Sequence, residues 1–153
     1  MVTDVYSSLL QELGKLLKAE LKPDANHSCL LQFPNKLSVQ IELDRSGNYL
    51  LIGCNLAPVP PGRYRENVFR EALKSNGLPT PRHGDFAYSK QADALVLVEL
   101  LPLKDLNGDK IMDALTPFLE KAKLWQDAIA HGDVPTAIQA TYAGKGGGMF
   151  GLK

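Results

Sequence analysis

Apolar residues in the first stretch of the chain fall at Val5, Leu9, Leu13, Leu16 and Leu17, with Tyr6 and Leu10 off that line. Spacings of i, i+4, i+8, i+11 and i+12 predict a helix over about Thr3 to Leu21 with one apolar face. Thr3 or Asp4 can cap its start, and Pro23-Asp24-Ala25-Asn26 is turn chemistry that ends it. The period then changes. Cys29 to Phe33 reads as a strand followed by a Pro34-Asn35 turn. Leu37, Val39, Ile41 and Leu43 alternate with Ser38, Gln40, Glu42 and Asp44, the period of two that marks a strand with one wet face. Asp44-Arg45-Ser46-Gly47-Asn48 has the composition of a hairpin turn. Tyr49 to Leu56 follows as a third strand, with Leu50, Ile52, Cys54 and Leu56 on one face.

Pro58, Pro60 and Pro61 interrupt regular structure before a second helix, in which Tyr64, Val68, Phe69, Ala72 and Leu73 recur at helical spacing. Asn76-Gly77 is read as a left-handed stop, and Pro79 and Pro81 forbid continuation. Asp85 to Ser89 and Ala94 to Leu101 are two further strands. The second is apolar on both faces. A sheet with helices on one side only would then need a second molecule on the other. A last helix from about Asp109 to Ala130 carries Ile111, Leu115, Phe118, Leu119, Ala122, Trp125 and Ile129 on one face, with Pro117 inside the pattern as a predicted kink. The order α-β-β-β-α-β-β-α predicts an α+β domain over residues 1–131 with a twisted, mainly antiparallel five-stranded sheet. Residues 132–153, which include Gly144-Lys145-Gly146-Gly147-Gly148, are expected to form a flexible tail.

Composition narrows the function. The chain has 153 residues, 17 Lys and Arg against 17 Asp and Glu, and a formal net charge of zero. No basic stripe with interleaved aromatics points to nucleic acid. No Lys/Arg-rich amphipathic stretch or long apolar run points to a membrane, and Met1 to Leu10 lacks the basic start of a signal peptide, so a cytoplasmic location is expected. Cys29 and Cys54 lie in apolar strands and read as small buried hydrophobes in a reducing compartment.

Candidate chemistry is sparse. His27, His83 and His131 have no Ser, Cys or Asp partner in a local motif, and His131 is explained by the helix dipole. Asp105-Leu106-Asn107-Gly108-Asp109 lacks the alternating acids and closing Glu of a calcium loop, and reads as a turn and a helix cap. The terminal Gly144-Lys145-Gly146 lacks the strand, the Ser or Thr and the helix of a phosphate loop. No metal, cofactor or catalytic set is expected.

The order of elements, with the motifs inside them, resembles the class I type III secretion chaperones of the Tir-chaperone (CesT/SycE-like) family. The resemblance rests on Leu9-Leu10 to Leu16-Leu17, Cys29-Leu30-Leu31, Val39-Gln40-Ile41-Glu42-Leu43 and Leu50-Leu51-Ile52. It continues through Ala72-Leu73-Lys74-Ser75-Asn76, Gly84-Asp85-Phe86-Ala87-Tyr88 and Leu100-Leu101-Pro102-Leu103, and closes on Phe118 to Trp125, similar to a Phe-x-x-x-Ala-x-x-Trp signature. The family is usually acidic and this chain is neutral. The resemblance implies a chaperone that keeps the N-terminal segment of secreted effector proteins extended, without a nucleotide. It also implies a homodimer paired through Tyr64, Val68, Phe69, Ala72 and Leu73 with Val96 and Val98. The secretion ATPase is a further candidate partner. Apolar residues outside the core stripes, Leu10, Leu30, Phe33 and Leu51, are the candidate effector anchors. A small adaptor domain that binds a folded protein or small ligand is the competing reading, and an enzyme with scattered catalytic residues is the third.

Overall fold

The alternation read between residues 28 and 58 forms three consecutive antiparallel strands. A computed structural model describes residues 2–137, with side chains from Val5 onward. Its elements run α1 (Val2–Leu17), β1 (Ser28–Gln32), β2 (Ser38–Leu43), β3 (Tyr49–Pro58), α2 (Arg63–Asn76), β4 (Asp85–Ser89), β5 (Ala94–Pro102) and α3 (Gly108–Ala130). The five strands form one antiparallel sheet in the order β1-β2-β3-β5-β4. The turns match their local chemistry. At the β2–β3 hairpin, Asp44 Oδ1 accepts hydrogen bonds from the Gly47 and Tyr49 amides at 3.0 and 3.2 Å.

The register decides which side chains share a face. Leu31, Val39, Cys54, Leu97 and Phe86 lie in one cross-strand row, and Cys29, Ile41 and Ile52 in the next. All are buried, under the helices. α3 supplies the largest share of the cover, with Ile111, Leu115, Phe118, Ala122, Trp125 and Ile129 buried. The Trp125 ring packs on Phe86 with centroids 4.2 Å apart. Cys29 and Cys54 share the buried face but stand on β1 and β3, with β2 between them. Two strand spacings, roughly 10 Å, exceed the reach of a disulfide, and both thiols are free.

α1 lies across the sheet beside α3. Tyr6, Leu9, Leu10 and Leu13 are its buried side chains, and Val5 and Leu16 are exposed. The helix is thus rotated from the expected stripe. The Tyr6 hydroxyl supplies the reason: it donates to the Ile41 carbonyl at 2.7 Å, so this face turns inward with its polar atom satisfied. α1 and α3 meet where Glu12 Oε1 accepts from the Gly108 amide at 2.8 Å. A Cβ at Gly108 would lie 2.8 Å from Glu12 Cβ, so only glycine permits this approach. Asn107 caps α3, its side chain accepting from the Lys110 amide at 2.9 Å. Pro117 lies inside a single continuous helix.

α2 packs against β4 at the edge of the sheet. The expected left-handed stop at Gly77 is not formed: Gly77 has φ −91° and ψ −2°, in the right-handed region. Asn76 has a different task. Its Nδ2 donates to the Phe86 carbonyl at 2.9 Å, and its Oδ1 accepts from the Phe86 amide at 2.7 Å. The side chain stands in for a neighbouring strand at Phe86 and caps the β4 edge there. Of the expected tail, residues 138–153 lie outside the described residues. Residues 132–137 return along α2: the Tyr64 hydroxyl donates to the Asp133 carbonyl at 2.8 Å, and the buried Ala137 donates its amide to Glu71 Oε1 at 3.0 Å. The packed domain therefore extends past residue 131.

Asn76→Ala is expected to leave the Phe86 amide and carbonyl unpaired and to destabilise the fold by about 1–3 kcal/mol. Urea unfolding followed by circular dichroism measures it. A change within ~0.5 kcal/mol would mean that the clamp holds nothing.

Candidate functional site

Period-two alternation sends the other half of each strand to the face that carries no helix. Its rows are Glu42, Leu51 and Leu100; then Leu30, Gln40, Gly53 and Val98; then Ser38, Asn55, Val96 and Ala87. Leu30 is 56% exposed and Leu100 is 48% exposed. Leu51, Val96 and Val98 are half-buried, and Gly53 lowers the middle of the face. Leu30 stands on an edge strand. At the start of that edge the Ser28 carbonyl accepts from the Asp24 amide at 2.8 Å. Leu30 and Gln32 point their backbone groups the same way, and no backbone partner meets them there among the described residues.

The structure sorts the four expected anchors. Leu30 is exposed on β1, and Leu51 is half-buried on the same open face. Phe33 follows β1 and packs partly against the core. Leu10 is corrected: it is only 2% exposed, inside the core beneath α1, and cannot meet a partner in the folded protein. Val5 and Leu16, at 45% and 44% exposed, are the exposed large apolar side chains among the described residues of α1, and Leu100 on β5 and Tyr49 on β3 are exposed as well. Sequence reasoning placed Val5 and Leu16 in the core. The run of apolar residues in β5 was the signal for Leu100.

The expected subunit surface is also sorted. Val68 and Ala72 are buried within the protomer, at 0% and 3% exposed, and are not free to face a second copy. They fall on the side of α2 that rests on the sheet. Tyr64 is half-buried and engaged with Asp133. Phe69 and Leu73 remain on the outside, Leu73 at 70% exposed. The Phe69 ring packs on Tyr88 of β4 at 5.8 Å, with the Arg65 guanidinium 5.9 Å from both ring centres. Arg65 also pairs with Asp93 at 3.3 Å and donates to the Val59 carbonyl, and the Tyr88 hydroxyl donates to Asp93. A shallow apolar groove of about 120 Å³ runs between α2 and β4, lined by Phe69, Leu73, Phe86, Ala87, Tyr88 and Leu95. Val96 and Val98 are on the opposite face of the sheet from Phe86 and Leu97. Val96 lies in the same cross-strand row as Ala87, which lines the α2 groove with Leu73.

Among the described residues no group of three or more His, Cys, Asp or Glu side chains is placed to hold a metal ion. Burial pushes both thiols up, Cys54 to about 11, so they are protonated near neutral pH. No helix among the described residues is long and apolar enough to cross a membrane.

The sequence model of the Tir chaperone protein (CesT) family matches residues 8–126. The chain belongs to this family. No curated protein matches it in sequence. Solved structures share its fold. A chain of the HopA1–SchA chaperone–effector complex aligns with a TM-score of 0.68 at 17% identity, covering 82% of this chain and 96% of its own. A chain of the ExsC–ExsE complex gives 0.65 at 17% identity, with 83% and 95% covered. The structure of the Yersinia pestis type III secretion chaperone SycH with a YscM2 fragment gives 0.60 at 20% identity, with 78% and 98% covered. The alignments span nearly the whole of those chains, so their fold is shared over most of this one.

Leu10→Ala is expected to cost about 2–5 kcal/mol, as for a leucine removed from a packed core. Leu30→Ala should change stability by less than about 0.5 kcal/mol. Urea denaturation of the two variants checks the assignment, and equal losses would contradict it.

Proposed function

We propose that this protein is a cytoplasmic type III secretion chaperone that binds the N-terminal segment of secreted effector proteins and keeps it extended. The observation that carries the reading is the bare sheet face bearing Leu30, Leu51 and Leu100 beside an unpaired β1 edge, in a chain of the Tir chaperone family. An extended segment can pair its backbone with that edge while its apolar side chains settle on the face. Leu30, Phe33 and Leu51 are the proposed anchors, joined by Leu100.

Magnitudes explain why such binding leaves the partner unfolded. Ordering one backbone residue costs about 1–2 kcal/mol. Burying one large apolar side chain returns about 1.5–3 kcal/mol. Each anchor therefore offsets the ordering of only one or two residues. A long segment is held at spaced points with slack between them, and release needs no nucleotide. No catalytic step belongs to this reading.

A second copy is the proposed partner of α2. Phe69 and Leu73, flanked by Tyr88 and Ala87, form the apolar contact. Val68 and Ala72 support it from beneath, and Arg65 braces its rim.

Two substitutions separate the surfaces. Leu30→Asp should weaken capture of an effector N-terminal segment by at least about tenfold, with the circular dichroism spectrum unchanged. Loss of folded signal would instead place Leu30 in the core. Leu73→Asp should halve the mass in light scattering and leave the spectrum intact. A variant that remains dimeric would remove α2 from the interface.

A further inference from the structure

Lys121 lies on the apolar face of α3, between Phe118 and Trp125 in the buried stripe, and is 3% exposed. Its ammonium donates to two carbonyls of the loop that joins α2 to β4: Arg82 and Gly84, each at 2.9 Å. It also sits 4.9 Å from the centre of the Phe86 ring. No carboxylate among the described residues reaches ion-pair distance of it. Charged groups on the loop, β4 and β5 act on it. The loop carries Arg82 and His83, and Arg82 is committed to Asp85 at 2.8 Å. β4 contributes Asp85, and β5 contributes Glu99. Glu99 keeps a buried carboxylate oxygen, Oε1, without a hydrogen-bond partner.

The loop runs beyond the paired part of the sheet. β4 stops pairing with β5 at Asp85–Val98, so Glu99 to Pro102 have no strand on that side. A cavity of about 540 Å³ lies there instead, lined by Pro81, Arg82, His83, Val98, Glu99 and Leu100 among others. Gly84 closes its base at φ +113°, where a Cβ would meet Leu97 Cγ at 2.9 Å.

We propose that Lys121 is a proton-operated latch on the α2–β4 loop: it fastens the Arg82 and Gly84 carbonyls to α3, and its buried, unpaired charge is relieved when the loop lifts and water enters. An amine without the extra proton still has two N–H groups, enough for both carbonyls, and no charge to keep from water. Losing the proton therefore tightens the loop.

The direction follows from burial, which pushes the closed-state value down to about 8 from an ordinary 10.5, aided by Arg82 and resisted by Asp85 and Glu99. Between those values the open loop binds more protons than the closed one, so opening becomes less favourable as pH rises from about 8 toward 10.5.

Trypsin reads the latch directly, because the bond it would cut follows Arg82, whose carbonyl Lys121 holds. The full chain is digested briefly at pH 7 and pH 9, and cleavage after Arg82 is measured by mass spectrometry. Rates are normalised at each pH to a free peptide of residues 78–88. With reclosing faster than cleavage, the normalised rate should fall by roughly tenfold from pH 7 to pH 9. The fall should vanish in Lys121→Met, which has no proton to lose, and in Lys121→Arg, which never loses it. A flat wild-type profile, or a fall that persists in either variant, overturns the latch. If neither variant folds, the wild-type profile alone decides.

Discussion

A five-stranded sheet has two apolar-capable faces, and the helices of this chain cover one of them. The rest of the structure is arranged around that imbalance. On the covered face, Trp125 against Phe86 joins α3 to the β4 edge, and Tyr6 fixes the rotation of α1 through the Ile41 carbonyl. On the other face, Leu30, Leu51 and Leu100 meet no element among the described residues. Exposed leucines arranged across a sheet are a hazard for an isolated protein. They are an asset for one that holds another chain.

The two edges are treated differently, and this sets where a guest can add. At β4 the Asn76 amide pairs with the Phe86 backbone, and α2 packs along the edge. At β1 the Asp24 turn covers only the first residue, and among the described residues no backbone partner meets Leu30 and Gln32. On the proposed reading, an extended segment is directed toward β1 and α2 is left for a second copy. The proposed division of labour follows from this asymmetry. It needs no cofactor and no bond-breaking step, because spaced anchors bind segments without fixing every residue between them.

Much of this was legible in the residues. The alternation of Leu37, Val39, Ile41 and Leu43 against polar neighbours located β2 and its faces, and the doubly apolar β5 signalled a sheet with an unfilled side. What failed were choices that local pattern leaves degenerate. α1 has two overlapping stripes that share Leu9 and Leu13. Only the position of the Ile41 carbonyl, fixed by strand register, selects the one with Tyr6 and Leu10. Val68 and Ala72 were expected outside because the helix pattern does not say which side the sheet occupies. Asn76 was read as a helix stop from its neighbour Gly77, whereas its partner, Phe86, is ten residues away across a loop. Lys121 carried a faint signal, a charge at stripe spacing between Phe118 and Trp125, but its partners are carbonyls that no pattern of side chains reveals.

Hydrogen exchange on a complex with an exported protein, formed without nucleotide, tests the central claim most directly. Amides in one stretch of the partner's first hundred or so residues should gain protection only at spaced anchor points, while the β1 edge at Leu30 and Gln32 is protected in the chaperone. Uniform protection across a folded partner domain, with β1 unchanged, would contradict it.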